Sequence, residues 1–220
     1  MPTELTRIRA AIIAVGRKLA QRGLVVATDG NISARLSRSE ILITRRGSVK
    51  GELAARDVIR WKVEESPAPG ARVSSEYRLH REVYRRRPNA GAVIHAHPPC
   101  AVALSLAGLV IADDMLPEVL MLLGAIPTAA FAPPGSEAGA KAVGRLAARH
   151  DAIILDRHGS LTIGRTLTEA WHNLERLEFT ACVTLLAHSV GAPRRLTDKQ
   201  KKQLLTAAAG YRSLTTPGSR

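Results

Sequence analysis

The sequence predicts an α/β protein in which helices pack on the faces of a central β-sheet. Apolar residues recur at helical spacing near the N-terminus and again over residues 166–191. Between these two segments lie short apolar runs bounded by turn residues, which are typical of strands. The 220 residues contain no internal repeat and no linker rich enough to separate domains. We therefore expect one domain over residues 1–220.

The first half of the chain predicts a helix, three strands and a second helix. Residues 5–19 carry an apolar helical face, and Gly23 marks its end. The stretch LVVATDGNISARL, which Asp29 and Gly30 break with a turn signal, and the runs EILITRRG and VIRWKV predict strands. After the loop EESPAPGARV, the segment SSEYRLHREVYRRRP begins with serines and ends in proline, which indicates a helix.

The second half begins with the strand expected to be central, AGAVIHAH, followed by the predicted helix CAVALSLAG. AIPTAAFAPPGSEA predicts a strand that leads into a loop, residues 136–149 a helix, and AIILDRHGSLTIG a strand, a turn and a strand. Thr166 and Glu169 form a Thr-x-x-Glu capping pattern at the start of the long helix of residues 166–191. From about residue 196 we expect a basic helix and a flexible tail rich in proline, glycine and serine.

The chain is strongly basic, with 32 basic and 19 acidic residues and a formal net charge of +13. Nucleic-acid binding, attraction of small anionic substrates and solvated helix faces all fit this balance. The basic residues are dispersed and aromatic residues make up 3% of the chain, so no stacking platform for bases is indicated. Solvated faces are favoured, and we expect no nucleic-acid partner. Since no apolar run approaches the roughly 18 residues of a membrane span, we expect no membrane association.

The expected location is the cytoplasm. The N-terminal helix has charges throughout its apolar residues and no small-residue cleavage site, unlike a signal peptide. The two cysteines, Cys100 and Cys182, cannot make a disulfide framework, so a reducing compartment is the default. Cys100 follows two prolines and is expected to be a structural thiol rather than a metal ligand.

Two histidines, His95 and His97, stand two residues apart in the apolar run VIHAH. Side chains alternate along a strand, so both imidazoles point to the same face. Two imidazoles in this arrangement can share a metal ion at Zn–N distances of about 2.0–2.1 Å. The alternative is a pair of core histidines with other hydrogen-bond partners, and the metal pair is favoured.

A catalytic metal site usually has three protein ligands, so a third ligand is needed. His158 is the best candidate, because it follows an apolar strand and precedes Gly159 at a turn. His172 and His188 lie in the long predicted helix and are expected to be structural or exposed. His80 lies four residues after Glu76 on one helix face, and we assign it to packing rather than to support of the site.

Glu76 ends the motif SSE at the start of a predicted helix. Its carboxylate either complements the helix dipole or acts as a general acid/base held near a metal. Small residues with little bulk accompany it, and helix N-termini and backbone N–H groups of this kind suit a phosphate. The small residues of the stretches TDGNIS, LITRRG and SSE are Gly30, Asn31, Ser33, Gly47, Ser74 and Ser75.

Taken together, the motifs resemble those of the class II aldolase/adducin family, which includes the L-fuculose-1-phosphate aldolases. The matching pieces occur in the family's order: ATDGNISAR, LITRRG, SSE, VIHAH, LPE and RHG, followed by the Glu-rich helix TEAWHNLERLE. The likeness extends from about residue 5 to residue 195. It implies a mainly antiparallel central sheet flanked by helices on both faces (an α+β arrangement), assembled as a homotetramer with active sites at subunit interfaces.

The resemblance also implies a zinc-dependent lyase, with Mn²⁺ or Co²⁺ as alternative ions. By this resemblance His95, His97 and His158 are the metal ligands and Glu76 is the acid/base. The residues that would hold the substrate phosphate are Gly30, Asn31, Gly47, Ser74 and Ser75, with Arg46 as a further candidate.

The activity implied is that of an aldolase for a ketose 1-phosphate. Its substrate would resemble L-fuculose 1-phosphate or a 5-deoxy or 5-methylthio pentulose 1-phosphate, and its products would be dihydroxyacetone phosphate and an aldehyde. Zinc would act as a Lewis acid that stabilises the negative charge of the enediolate, and Glu76 would move the proton. Glutamate at this position resembles the aldolases, whereas the related pentulose-phosphate epimerases carry aspartate.

Two departures from the aldolase pattern keep other activities open. Arg46 stands where the aldolases carry a small hydroxyl residue, and it binds either the phosphate or a substrate carboxylate. The motif LPE supplies Glu118 where the typical aldolase has a tyrosine, so Glu118 is either catalytic or a loop carboxylate; Tyr211 is a further candidate to reach an active site. The alternatives are a dehydratase or decarboxylase on the same zinc scaffold and a non-catalytic binding domain like the adducin head.

Overall fold

The computed structural model describes residues 2–215, and the side chains of residues 2–208. In chain order its helices and strands are α1 (Glu4–Gln21), β1 (Asn31–Arg35), β2 (Glu40–Thr44), β3 (Val58–Lys62), α2 (Tyr77–Arg86), β4 (Ala92–Ala96), α3 (Pro99–Leu106), β5 (Thr128–Ala129), α4 (Glu137–Ala147), β6 (Ala152–Leu155), β7 (Gly159–Gly164), α5 (Leu167–Val190) and α6 (Asp198–Thr215).

The seven strands form one sheet in the order β3-β2-β1-β4-β7-β6-β5. Every neighbouring pair is antiparallel except β5 and β6. This confirms the predicted α/β class and the mainly antiparallel sheet. β4 is the central strand and all five of its residues are buried, as the apolar run AGAVIHAH predicts.

Helices cover both faces of the sheet. On one face α2 and α4 pack on alternate residues of the strands, including Ile43, Val93 and Leu161. On the other face α1, α3 and α5 pack on the intervening residues, such as Ile32 and Ile94. His95 is two residues from Val93 and therefore lies on the α2 face.

Local signals account for the ends of the long helices. The side chain of Thr3 accepts a hydrogen bond from the N–H of Thr6 at the start of α1. The side chain of Thr166 accepts one from the N–H of Glu169 at 3.1 Å, as the capping pattern predicts for α5. Among the described residues, no helix combines the length and apolar character that crossing a bilayer requires.

Some elements differ from the sequence-based expectations. The strand expected in AIPTAAF is only two residues long, at the sheet edge. Val119–Leu123 forms a single π-helical turn that no sequence pattern indicates. The basic helix is present as α6, but residues 216–220 of the predicted tail lie outside the described residues.

The expectation that Cys100 is a free structural thiol is wrong. Cys100 and Cys182 form a disulfide bond, with their Cα atoms 5.0 Å apart. The carboxylate of Glu178 on α5 also accepts hydrogen bonds from the N–H groups of Cys100 and Ala101 at the start of α3. The cysteines are 82 residues apart in sequence, so only the packing of α3 against α5 reveals their proximity.

Candidate active site

Three histidines meet at one end of the central strand. His95 is the fourth residue of β4, His97 follows the end of β4, and His158 lies in the turn between β6 and β7. One ring nitrogen from each lies within 4.8 Å of the other two. His95 Nε2 and His97 Nε2 are 3.1 Å apart, and the His95 and His158 ring centres are 4.9 Å apart. The structure thus brings together the three predicted metal ligands.

The donor set fits a divalent metal ion such as zinc. Two nitrogens bound tetrahedrally at about 2.0–2.1 Å from one ion stand roughly 3.3 Å apart, close to the spacing of His95 and His97. His95 Nδ1 donates to the carbonyl oxygen of Ser160 at 2.9 Å, which leaves the Nε2 lone pair free for a metal. His97 Nδ1 faces Asp29 Oδ2 at 3.7 Å, which is too long for a hydrogen bond but places a carboxylate beside this ring as well.

Electrostatics favours unprotonated rings at two of the three positions. Burial lowers the pKa of His97, and the neighbouring His95 and His158 lower it further, to about 4. Burial and His95 likewise lower the pKa of His158. For His95 burial lowers the pKa, but the adjacent carboxylate of Glu76 outweighs it and the pKa lies above its ordinary value. A proton and a metal ion therefore compete for His95 Nε2.

The turn that carries His158 requires a glycine after it. A side-chain carbon on Gly159 would stand 2.5 Å from the carbonyl oxygen of Ala96 and 2.6 Å from the His97 ring. Arg157, just before His158, has a positive φ of 56°. The motif RHG thus combines a strained turn and a close approach, which aim His158 at the other two imidazoles.

Glu76 lies directly beside the three histidines. It is the residue before α2 and is 8% exposed, with Oε2 2.9 Å from His95 Nε2 and Oε1 3.6 Å from His158 Nε2. Its side chain makes no capping hydrogen bond to α2. Burial raises the pKa of Glu76, but the charge of His95 and the hydrogen bond between them prevail and hold it at about 2. The carboxylate therefore points at the metal position and away from the helix it precedes.

Asn31 stands opposite His95 in the register of β1 and β4. Its Nδ2 donates to Glu76 Oε2 at 3.2 Å, and its Oδ1 is hydrogen-bonded to Nε2 of His80. His80 is fully buried. The assignment of His80 to packing alone is therefore incomplete, because the ring supports the partner of Glu76.

The segments assigned to phosphate binding are neighbours in space. The N–H of Arg46 donates to the carbonyl oxygen of Arg72 at 2.8 Å, and this places the glycine loop of residues 45–48 beside Ser74 and Ser75. The buried Lys50 Nζ donates to the carbonyl oxygens of Thr28, at 2.8 Å, and of Ser48, which ties that loop to the turn containing Gly30. These bonds connect the glycine loop both to the SSE motif and to the turn before β1.

The predicted phosphate-binding residues differ in their exposure and in the hydrogen bonds they already make. Arg46, Gly47 and Ser75 are exposed and free to meet a ligand. The hydroxyl of the buried Ser74 accepts a hydrogen bond from the N–H of Glu76 at 3.3 Å. Asn31 already serves Glu76 and His80.

Two further candidates are not joined to the histidines in the described part of the chain. Glu118 is exposed at the start of the π-helical turn, and residues 2–208 supply no hydrogen bond or ion pair to it. The backbone of Tyr211 lies in α6, but its side chain is outside the described residues. A cavity of about 920 Å³ lies elsewhere, around Gly164 and Arg165 at the far end of β7, and contains none of the predicted site residues.

Gly30 is expected to be far less replaceable than Gly47. Both have a positive φ, +73° and +72°, so an alanine at either costs about 1 kcal/mol for the left-handed backbone. At Gly30 a side-chain carbon would also stand 2.8 Å from the carbonyl oxygen of His95, whereas nothing lies within 4 Å at Gly47. We expect Gly30→Ala to lower the free energy of unfolding by about 3 kcal/mol and Gly47→Ala by about 1 kcal/mol. Urea unfolding measures both, and equal losses would contradict the steric argument.

Comparisons with known proteins identify the family of the chain. A family model described as the class II aldolase and adducin N-terminal domain matches residues 10–185. A 3-oxo-tetronate 4-phosphate decarboxylase from Pectobacterium atrosepticum is 33% identical over 179 residues, which cover 80% of this chain and 82% of that protein. A methylthioribulose-1-phosphate dehydratase from Methylococcus capsulatus is 34% identical over 201 residues, 86% of this chain and 98% of that protein.

The fold is also shared with a solved structure. The crystal structure of an L-fuculose-1-phosphate aldolase from Thermus thermophilus matches with a TM-score of 0.75 and 34% identity, over 86% of this chain and 99% of that one. The matched segment of the family model includes all three histidines and Glu76. The chain belongs to the class II aldolase and adducin family.

Proposed function

We propose that the chain is a lyase that depends on a divalent metal ion, zinc by preference, and cleaves a carbon–carbon bond of a phosphorylated 3-oxo sugar acid with loss of carbon dioxide. The observation that carries the proposal is the convergence of three imidazoles on one point with the Glu76 carboxylate 2.9 Å from one of them. A structural metal site is normally closed by four protein ligands, whereas three plus a carboxylate beside them leave a position for substrate.

The reactions of the relatives share one chemical need. A 3-oxo-tetronate 4-phosphate that loses its carboxylate as carbon dioxide keeps three carbons, with a ketone between a hydroxyl-bearing carbon and a phosphorylated one. A ketose 1-phosphate that loses its aldehyde half keeps the same three carbons. In both cases the electron pair of the broken bond stays next to the ketone, and one proton completes dihydroxyacetone phosphate. A bound metal ion supplies Lewis-acid stabilisation of that negative charge.

The chain's own residues supply the other steps. Glu76 relays the proton: one carboxylate oxygen takes a proton from solvent and passes it to the carbon that has lost carbon dioxide, while Asn31 holds the carboxylate in place. The loop of Arg46 and Gly47, with Ser74 and Ser75, binds the phosphate at a distance from the bond that breaks. These contacts position the substrate, while the buried side chains of His95 and Glu76 limit access of water to the charged intermediate.

Decarboxylation is favoured over aldol cleavage by Arg46 and by the decarboxylase relative at 33% identity. The exposed guanidinium beside Gly47 adds a second cation for a substrate with two anionic groups. Aldol cleavage of a ketose 1-phosphate is the second candidate, and the aldolase structure at 34% identity supports it. The presence of all three histidines and Glu76 argues against a purely structural, adducin-head-like role.

Assembly and location belong to the proposal as well. We propose a homotetramer whose neighbouring subunit completes the substrate pocket, as the resemblance to the L-fuculose-1-phosphate aldolases implies. The disulfide between Cys100 and Cys182 removes the argument for a reducing compartment that was based on the cysteines. The proposed location is still the cytoplasm, and the proposed partner is a small phosphorylated sugar or sugar acid, with neither nucleic acid nor membrane.

The test is a metal analysis followed by product-resolved assays. Purified protein loaded with zinc is given 3-oxo-tetronate 4-phosphate, L-fuculose 1-phosphate and methylthioribulose 1-phosphate. We expect dihydroxyacetone phosphate and one carbon dioxide per turnover from the first substrate, measured by coupled reduction and by gas release. Dihydroxyacetone phosphate from only the second substrate would identify an aldolase, and water loss without carbon–carbon cleavage from only the third would identify a dehydratase. No turnover of any of the three would contradict the proposed function.

A further inference from the structure

Glu76 is the first member of a ladder of polar residues between α2 and β1. Glu76, His80 and Tyr84 are spaced four residues apart, so they lie on one side of the helix about 6.0 Å apart along its axis. Asn31 and Ser33 are two residues apart on β1 and share one face of the sheet, about 6.8 Å apart. Since the two spacings nearly match, the side chains interleave.

Four hydrogen bonds connect the ladder without a break. Asn31 bridges Glu76 and His80. Ser33 Oγ lies 2.6 Å from His80 Nδ1 and 2.9 Å from the hydroxyl oxygen of Tyr84. All of these residues except Glu76, which is 8% exposed, are 4% exposed or less, so water does not compete with the bonds.

The direction of every bond follows from the carboxylate. An ionised carboxylate only accepts, so Asn31 must turn its amide nitrogen to Glu76 and its oxygen to His80. That oxygen also only accepts, so His80 carries its proton on Nε2. Burial lowers the pKa of His80 to about 3, with His95 contributing in the same direction, so the ring is neutral and Nδ1 accepts from Ser33. The Ser33 oxygen in turn accepts from Tyr84.

We propose that His80 is a positioning residue for the proposed lyase reaction, acting through Asn31 to hold Oε2 of Glu76 and leave Oε1 as the oxygen that exchanges the proton. The proposal rests on the proposed function for its reaction and on the hydrogen-bond ladder for its geometry. Oε1 fits the role, because it has no hydrogen-bond partner and lies 3.6 Å from His158 Nε2, whereas Oε2 is engaged by Asn31 at 3.2 Å and by His95 Nε2 at 2.9 Å.

Each residue of the ladder donates its hydrogen bond toward Glu76, beginning with the phenol of Tyr84 and ending with the amide of Asn31. Reversal of one member would leave two acceptors or two donors facing each other in the core. The carboxylate is thus held by a network with one allowed arrangement, whereas a single hydrogen bond from a solvated amide would let it rotate. Orientation of this kind affects turnover more than substrate affinity.

The first test is independent of the reaction. Full-length protein loaded with zinc and labelled with ¹⁵N-histidine is examined by NMR at pH 7, and the His80 signals are assigned by their loss in His80→Phe. We expect a neutral ring protonated on Nε2 with an unprotonated Nδ1. A ring protonated on Nδ1, or a doubly protonated ring, would overturn the ladder even if the enzyme proved active, and the expected tautomer would support it even if none of the tested substrates reacted.

The second test uses variants of the same helix on whichever substrate is turned over. His80→Phe should keep the metal and KM while kcat falls about 10- to 100-fold, and His80→Gln, whose amide N–H can replace Nε2–H, should recover most of the loss. Val83→Ala, also fully buried on α2, is the matched control for core damage and should keep kcat. An unchanged kcat in His80→Phe, loss of its metal, or a His80→Gln no better than His80→Phe would each overturn the positioning role.

Discussion

His158→Ala is expected to lower zinc affinity by more than about a hundredfold and to abolish measurable turnover. Residues that merely orient a metal ligand cost about 10- to 100-fold in affinity when they are replaced, so loss of a ligand itself should cost more. The two remaining imidazoles, His95 on the central strand and His97 just after its end, keep their places and retain weak binding of the metal. Zinc content after dialysis, measured by elemental analysis, gives the direct readout.

The control for this experiment is His188→Ala, an exposed histidine of the same chain near the end of α5. It should retain zinc and activity. The thermal midpoints of the two metal-free variants should match that of the metal-free wild type, because His158 lies in a turn and is only partly buried. A His158→Ala variant that kept its full zinc content would remove this residue from the ligand set.

Glu76→Gln is expected to lower kcat by about 10²–10⁴-fold while zinc content and KM stay close to those of the wild type. The amide keeps the size of the side chain and can still accept from Asn31, but it cannot take up or deliver a proton. Loss of the negative charge also removes the ion pair with His95, which should make His95 easier to deprotonate for metal binding. Steady-state kinetics at saturating zinc separate these effects.

Glu137→Gln serves as the matched control, because Glu137 is an exposed carboxylate paired with Arg78 and Arg81. It should keep kcat, since the hydrogen bonds of its carboxylate go to Arg78 and Arg81 and not to the histidines or Glu76. Wild-type turnover in Glu76→Gln would show that another group moves the proton. The same substitution at Glu118 then becomes the informative one, because that carboxylate is the remaining candidate from the motif LPE.

Much of the fold was predictable because its signals are local. Apolar periodicity, the Thr-x-x-Glu cap and the runs of strand-forming residues depend on neighbours within a few positions. The pair His95 and His97 is also a local signal, since the alternation of side chains along one strand is enough to place both rings on one face. The π-helical turn at Val119–Leu123 carries no comparable local pattern and was not predicted, and the strand expected in AIPTAAF is only two residues long, as β5.

The sequence by itself determined the elements, the histidine pair, the glycine turn at His158 and the family motifs. Tertiary structure alone decided which distant residues meet: the disulfide between Cys100 and Cys182, the tie that Lys50 makes between two loops, and the ladder from Tyr84 to Glu76. The ladder depends on the register of β1 against β4 and on the rotation of α2 over the sheet. Both depend on packing between segments far apart in the chain. Periodicity therefore showed that His80 and Glu76 share a helix face, but it could not show that Asn31 of β1 bridges them.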